Sequence, residues 1–305
     1  MKTFKIASQN SKADKMRISD SWFGALLAVP ALIVVIVFIL YPLSYNLYVG
    51  FFQHSLSSPD KFVGLGNYTD LLGDRLFWLG LKKSFIYMLG STAFVFTIGL
   101  IQAHVLSRLG GKRGSTAYRL GTVVVWSIPL IIAGLFWASM FNEEIGIINY
   151  ILDIIGTGAI PWQSDPNWAL FSVIIADAWR RIPFMAVLVL AGLEGIPNEL
   201  YEAAYIDGAD KWDTFRNISL PMNRFAIMKG TVLSAMFSFR AVSVVFAMTM
   251  GGPYKGTYVE ALYLFRNVYS YLKFGTAAAI GVYILLFICM FAGPVLIYLV
   301  KEGAT

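Results

Sequence analysis

The sequence predicts an all-α membrane protein, a polytopic bundle of transmembrane helices, and three observations lead to that prediction. Of the 305 residues, 57% are hydrophobic and only 14% are charged, which is too little charge to keep a soluble domain of this length dispersed. The net charge of +6 comes from basic residues in short groups beside apolar segments, a pattern typical of membrane topology and not of nucleic-acid binding. Several charge-free intervals also exceed the ~20 residues with which a helix crosses ~30 Å of hydrocarbon.

Six transmembrane helices are predicted from these intervals and from two further apolar intervals that contain charges. The predicted spans are 22–50, 84–107, 120–141, 168–193, 222–250 and 274–300. On this interpretation residues 1–305 form a single transmembrane domain. The first apolar run is too long for the core of a signal peptide, so we expect an uncleaved helix there.

Lysine and arginine counts predict which side of the membrane each loop faces. Five basic residues precede the first span and four lie between the second and third spans, whereas residues 142–168 contain acidic residues but no Lys or Arg. Because basic residues favour the cytoplasmic side, both termini and residues 194–221 are predicted to be cytoplasmic and the acidic loop external. The protein is therefore expected to be a multi-pass protein of the cytoplasmic membrane.

A polar segment, Asn198 to Pro221, interrupts the apolar chain between the fourth and fifth spans. "ELYEAAYID" predicts a short helix, and Gly208 can end that helix in a left-handed conformation. Asp210 is placed to cap a second short helix. Two short helices joined at a glycine predict a compact projecting insert. An insert of this kind suits docking on a protein and resting on lipid equally well.

Charged residues within the fourth and fifth spans are candidates for a pathway through the membrane, because charge at membrane depth is costly and such residues normally face partners, water or a pathway. Asp177 precedes Arg180 by three residues and Arg181 by four, so it can pair with either on one helical face. Arg240 is the preferred path residue, with hydroxyl groups and aromatic rings nearby that suit a sugar. An arginine also suits an anionic substrate. The predicted path residues are Asp177, Arg181, Phe239, Arg240, Ser243 and Phe246.

Five motifs follow one another along the chain. They are "FVGLGNY" (Phe62–Tyr68), "GIINYIL" (Gly146–Leu152), "DAWRRIPF" (Asp177–Phe184), "EAAYIDGADKWDTFRNISLP" (202–221) and "TMGGPYKGT" (Thr249–Thr257). In this order they resemble permease subunits of ATP-binding-cassette importers, in the subgroup that handles sugars, oligosaccharides and related polyols. The resemblance extends over nearly the whole chain and implies a membrane permease that couples to a cytoplasmic ATPase. It also implies the cytoplasmic membrane of a bacterium or archaeon.

The same resemblance implies that residues 194–221 form the coupling helix segment, which docks in a cleft of the ATPase. Glu202 would pair with a basic residue of the ATPase, and Gly208 would permit the turn. The implied coupling residues are Glu199, Glu202, Ala203, Ala204, Asp207, Gly208, Trp212 and Phe215. The external segment after the fifth span would meet a solute-binding protein.

Two further expectations about the membrane charges come from the resemblance. It favours Asp177 and Arg180 as a structural ion pair and leaves Arg181 open between a structural role and a path role. Ser243 stands where related permeases often carry an aspartate. Without that carboxylate Arg240 loses a neutralising partner, which favours neutral or negative substrates.

The sequence also bounds the partners and the alternatives. It contains no phosphate-binding loop of the G-x-x-x-x-G-K-[ST] type, so we expect ATP and Mg²⁺ in a partner ATPase and no cofactor, metal site or enzymatic activity in this chain. The expected partners are a second homologous permease subunit, two ATPase copies, an extracytoplasmic solute-binding protein and a carbohydrate-like substrate. An ion-gradient-driven secondary transporter is the alternative, but it predicts acidic residues in several spans and internal repeats. A membrane enzyme is disfavoured by two histidines and one cysteine.

Overall fold

The structure is a computed structural model, and it describes residues 20–55, 58–108 and 113–302. The chain divides into two units, residues 1–48 and residues 49–305. The described part of the first unit is helical and consists of α1 (Asp20–Val35), a π-helical turn (Ile36–Leu40) and most of α2 (Tyr41–Val49). The stretch Trp22–Val49 has a mean hydropathy of 3.0 and 28 residues, enough to cross a membrane.

The second unit begins with a small hairpin and is otherwise helical. Strand β1 (Phe52–Ser55) pairs antiparallel with β2 (Ser58–Phe62), and α3 (Gly66–Gly73) follows. The remaining helices are α4 (Arg75–Arg108), α5 (Arg113–Ser127), α6 (Leu130–Met140), α7 (Ile147–Ile154), α8 (Pro166–Glu194), α9 (Asn198–Ile206), α10 (Lys211–Thr214), α11 (Leu220–Met222), α12 (Arg224–Phe239), α13 (Ser243–Thr249), α14 (Glu260–Tyr269) and α15 (Phe274–Glu302). The hairpin is the only sheet in the described ranges, so the predicted all-α class is confirmed.

Helices α4, α8 and α12 meet at one buried side chain, Met185 of α8. Gly99 of α4 and Gly230 of α12 both face it, and a Cβ atom added at either glycine would lie 2.7 Å or 2.3 Å from the methionine side chain. Small residues at such contacts let membrane helices approach closely. The three helices therefore form the packed centre of this unit.

Four of the predicted spans coincide with helices. Predicted spans 22–50, 168–193 and 274–300 agree closely with Trp22–Val49, α8 and α15. Span 84–107 lies within α4, which begins earlier, at Arg75. A charge-free interval marks only the apolar part of a helix, and α4 also includes Lys82 and Lys83 on the N-terminal side of that interval.

The third predicted span, 120–141, is not one helix. Helix α5 ends at Ser127 and α6 begins at Leu130, and the pair is bent by 97°. Pro129 lies in the break and disfavours helical backbone at Ile128. Arg180 Nε of α8 donates a 2.8 Å hydrogen bond to the Ile128 carbonyl oxygen, which stabilises the break.

The fifth predicted span, 222–250, is also interrupted. Helix α12 ends at Phe239, α13 begins at Ser243, and the pair is bent by 49°. Among the described residues, three helices are long and apolar enough to span a membrane, or up to five if each bent pair is one span. The charged residues of α8 keep it out of that count. The number of six spans stays a prediction.

Candidate functional site

The polar insert between α8 and α12 folds as two short helices, as predicted. Helix α9 is followed by Gly208, whose φ of +84° is in the left-handed region that glycine adopts readily. The Asp210 carboxylate then caps α10 by accepting from the backbone N–H groups of Trp212 (2.7 Å) and Asp213 (2.8 Å). The Asp213 carboxylate accepts in return from the Asp210 N–H at 3.1 Å, which completes a capping box. The hydrogen bonds from the backbone of Asp213 and Trp212 lower the pKa of Asp210.

Most of the predicted coupling residues lie on the outside of this insert. The exposed ones are Glu199, Glu202, Ala203, Asp207, Gly208 and Trp212, and Ala204 is half-buried. Ile206 and Trp212 are 87% and 64% exposed, which is high for large apolar side chains. The insert therefore presents carboxylates beside apolar side chains.

Phe215 is the exception among the predicted coupling residues. Its ring centre lies 5.2 Å from that of His104 in α4 and 5.5 Å from that of Trp212, and the residue is half-buried. It belongs to a π-helical turn (Phe215–Ser219) whose last residue, Ser219, is buried and hydrogen-bonded to the Tyr201 hydroxyl at 3.0 Å. Phe215 thus contacts the end of α4 and does not project outward.

A buried ion pair joins α4, α8 and α12. Arg181 Nη2 lies 2.8 Å from Asp177 Oδ1, and Arg181 Nε donates to the same oxygen at 3.0 Å. The guanidinium also donates to the carbonyl oxygens of Ser234 (3.4 Å) and Phe237 (3.1 Å) in α12. The second carboxylate oxygen of Asp177 accepts from Ser91 Oγ of α4 at 2.7 Å. Both charges are therefore paired and hydrogen-bonded, as buried charges must be.

This geometry corrects the favoured pairing of Asp177 with Arg180. Asp177 pairs with Arg181, because the carbonyl groups of α12 provide further acceptors on the side where Arg181 lies. Arg180 instead extends to the carbonyl oxygen of Ile128 at the α5–α6 break. Asp177 is 0% exposed and is enclosed between the helices.

A cavity of about 660 Å³ lies between α5, α8 and the α12–α13 break. It brings together three predicted path residues, Arg181, Arg240 and Ser243, and adds Arg180. The Cζ atoms of Arg240 and Arg181 lie 5.2 Å and 5.8 Å from the ring centre of Phe237, within reach of a cation–π contact. Among the described residues no carboxylate forms an ion pair with Arg240 or Arg180. The cavity is therefore electropositive.

Three predicted path residues do not line this cavity: Asp177, which is enclosed between the helices, Phe239 and Phe246. Phe239 is 0% exposed and packs on Phe85 of α4, with ring centres 5.2 Å apart. The Phe246 ring instead contacts Phe265 of α14 at 5.3 Å. Phe239 follows Phe237 by two residues, which places it ~200° further around the helix axis. The ring that faces the cavity is therefore Phe237.

Two aromatic residues of the cavity wall, Trp126 of α5 and Phe184 of α8, are absent from the predicted path set. Their rings stack with centres 5.7 Å apart and an angle of 27° between the planes. Phe184 follows Arg180 by four residues, so the helical period could have placed it on the same face. Nothing in the local sequence marks Trp126, because the packing of α5 on α8 brings it there.

Comparisons with known proteins agree with the fold and the motifs. A family described as "Binding-protein-dependent transport system inner membrane component" matches residues 95–297. The trehalose/maltose transport system permease protein MalF of Thermococcus litoralis is 33% identical over 90% of this chain and 92% of its own length. The sulfoquinovosyl glycerol transport system permease protein SmoG of Agrobacterium fabrum is 33% identical over 87% of this chain and 86% of its own.

The fold also resembles a solved transporter. The structure of a bacterial alginate ABC transporter in complex with an alginate pentasaccharide-bound periplasmic protein contains a chain that matches with a TM-score of 0.74. The match covers 89% of this chain and 93% of that one at 20% identity, so the likeness concerns the fold. With a family match over most of its length and relatives one-third identical to it, this chain belongs to the inner membrane components of binding-protein-dependent transport systems.

Proposed function

We propose that this chain is the permease subunit of an ATP-driven importer for a carbohydrate or an anionic sugar derivative, and that it forms half of the translocation path. The observation that carries the proposal is the ordered insert of two short helices, α9 and α10, joined at Gly208, with its exposed carboxylates and apolar side chains. The names of the relatives, which refer to trehalose, maltose and sulfoquinovosyl glycerol, support a carbohydrate-like solute. No described carboxylate within the predicted spans is free to carry a coupling ion, since Asp177 is paired with Arg181, and this disfavours ion-gradient transport.

The position of the insert supports its role in coupling. It connects the end of α8, which carries the buried ion pair and two arginines of the cavity, to the start of α12, whose carbonyl groups accept from Arg181 and which ends next to Arg240. A force on the insert therefore acts directly on the helices around the path. A partner ATPase that binds ATP and Mg²⁺ would pull the insert when its two copies close, provided that its contacts differ between the open and closed states.

The proposed assembly has further subunits. One insert serves one half of an ATPase dimer, so a second, homologous permease subunit would supply the other insert and the other wall of the cavity. The segment from Gly251 to Lys273, which includes α14, would meet an extracytoplasmic solute-binding protein.

The proposed topology places both termini and the insert in the cytoplasm and the 142–168 loop outside, with six spans. Single cysteines test this in a chain whose one natural cysteine, Cys289, is replaced by serine. A membrane-impermeant maleimide applied to intact cells should label Glu144→Cys, whereas Glu202→Cys should react only after the cells are opened. Labelling of Glu202→Cys from outside would refute the topology and the docking role together.

Docking on the ATPase is tested by changing the insert. Glu202→Lys reverses an exposed charge, and Gly208→Pro replaces a residue at φ +84° with one restricted to about −65°. Both variants should lose co-purification of the ATPase and solute uptake. Glu144→Lys, also a charge reversal at an exposed residue but in the loop proposed to be external, should retain both. Full ATPase retention and uptake in both insert variants would refute the docking role.

The electropositive cavity supports an anionic solute within the carbohydrate class. Arg240 is exposed at the cavity and has no described acidic partner, so it can bind a sulfonate or carboxylate group. Arg240→Ala should reduce uptake of a sulfonated or acidic sugar much more than uptake of a neutral one, and Arg240→Lys should restore part of it. Equal uptake of all tested sugars by Arg240→Ala and the parent protein would remove Arg240 from the path.

A further inference from the structure

A second, apolar groove lies where the C-terminal half of α4 meets the insert. Its volume is about 530 Å³. Its walls are formed by Phe96, Ile101 and Val105 of α4 together with Trp212 and Phe215 of the insert. Ile101 is 59% exposed and Val105 is 46% exposed, and both belong to a helix long and apolar enough to span a membrane. The protein thus has an open groove with apolar walls on its surface here.

The length of the groove matches one leaflet of a bilayer. Along α4 it extends from Phe96 to Arg108, and a helix rises 1.5 Å per residue, which gives about 18 Å. The hydrocarbon of a leaflet is about 15 Å thick, half of the bilayer core. A protein partner outside the membrane cannot reach the end of the groove at Phe96, which would lie deep in the hydrocarbon, whereas an acyl chain can lie along the whole groove.

Two cations stand at the mouth of the groove. Arg108 is the last residue of α4 and Lys211 is the first residue of α10; both line the groove and both are exposed. Among the described residues neither forms an ion pair with a carboxylate. The carboxylates next to Lys211 in sequence, Asp210 and Asp213, accept backbone N–H groups in the capping box. Trp212 lies beside them, and tryptophan is enriched at the level of lipid headgroups.

We propose that this groove binds one anionic phospholipid, with an acyl chain along α4 and the phosphate between Arg108 and Lys211. An apolar groove with two cations at one end matches a molecule with an apolar tail and an anionic head. Basic pockets between helices bind anionic headgroups. The assignment to the inner leaflet rests on the proposed topology. The bound lipid would fill the space between the insert and α4 and so stabilise the insert against that helix.

Lipid retention tests the proposal without reference to transport. The full assembly is reconstituted in nanodiscs of phosphatidylcholine mixed with phosphatidylglycerol, released into a mild detergent and weighed by native mass spectrometry. The parent protein should retain phosphatidylglycerol in preference to phosphatidylcholine. Removing both cations in Arg108→Gln/Lys211→Gln should weaken phosphatidylglycerol binding by about 30-fold.

Matched variants separate this site from general charge effects and from misfolding. Arg224→Gln/Lys301→Gln removes two positive charges near the ends of α12 and α15, away from the groove, and should keep the preference for phosphatidylglycerol. Ile101→Trp fills the groove without changing charge and should release the lipid while the assembly still co-purifies and melts like the parent.

Two outcomes would overturn the proposal. One is equal retention of both phospholipids by the parent protein. The other is a loss of the ATPase subunit from Arg108→Gln/Lys211→Gln with an unchanged lipid count, which would assign the two cations to the ATPase interface. A failure of solute uptake alone would concern the proposed function and leave the lipid result standing.

Discussion

Asp177→Asn is expected to destabilise the protein strongly, because it leaves a buried guanidinium without a counter-charge. Arg181 is 6% exposed, and Asp177 is 0% exposed and lies outside the cavity lining, so the position of the lost carboxylate is closed to water. Removing one partner of a buried ion pair typically costs about 3–5 kcal/mol, and the carboxylate also accepts from Ser91 Oγ at 2.7 Å. At about 2–4 °C per kcal/mol for a domain of this size, the melting temperature should fall by roughly 6–20 °C.

The assay is thermal unfolding of the purified assembly in detergent, followed by tryptophan fluorescence at neutral pH. A double variant, Asp177→Leu/Arg181→Met, provides the control, because it removes both charges and keeps similar volumes. Apolar replacement of a buried pair is often neutral, so the double variant should recover most of the lost stability. If Asp177→Asn melts like the parent protein, or if the double variant is as unstable as the single one, the ion pair does not stabilise the helix packing in the way described.

Two further predictions concern Glu260 of α14 and the contact between Gly275 of α15 and strand β1. Burial, with a smaller effect of the nearby Asp74 carboxylate, raises the pKa of Glu260 to about 9 from an ordinary value of 4.5. The native state therefore holds a proton that the unfolded chain has released, so stability should fall as the pH rises from 4.5 toward 9. Glu260→Gln should flatten that fall in a series of melting curves, and an unchanged pH dependence would contradict the assignment. Gly275→Ala would place a Cβ atom 2.0 Å from the Phe52 carbonyl oxygen, which is backbone and cannot swing aside. It should cost about 1–3 kcal/mol in thermal unfolding, whereas Gly73→Ala, with open space at its Cβ position, should not; equal melting of the two variants would contradict the close packing.

The features that the sequence predicts correctly depend on local signals. The insert is the clearest case, because neighbouring residues determine its form. A glycine determines the turn, and a capping aspartate determines the start of the second helix. Gly208 adopts the expected left-handed conformation, and Asp210 makes the expected cap. The bounds of the apolar runs predict the ends of α8 and α15 for the same reason, since charged residues or a proline flank each run.

The break between α5 and α6 shows where local signals fail. Pro183 and Pro294 lie inside α8 and α15, and neither ends its helix. Pro129 coincides with a 97° bend, and there Arg180 from a different helix supplies a donor for the Ile128 carbonyl oxygen. Membrane helices tolerate proline when neighbouring groups satisfy the backbone. Whether a proline lies within a continuous helix or at a break therefore cannot be predicted until the groups that surround it in space are known.

The candidate cavity was predicted in part for a similar reason. Arg240 and Ser243 lie three residues apart at the break between α12 and α13, so their proximity follows from the chain itself. The choice of Arg181 over Arg180 as the partner of Asp177 depends on carbonyl groups of α12, which lie more than fifty residues away along the chain. Helical periodicity allowed both pairings and could not decide between them.

The capping box of the insert has a consequence for affinity. Since Asp210 and Asp213 hold the start of α10 through hydrogen bonds within this chain, the order of the segment does not depend on a contact with another subunit. Ordering a residue of backbone costs about 1–2 kcal/mol, and here that cost belongs to the folding of the permease. Binding of the insert to the proposed ATPase would then lose little of its contact free energy to the ordering of this segment.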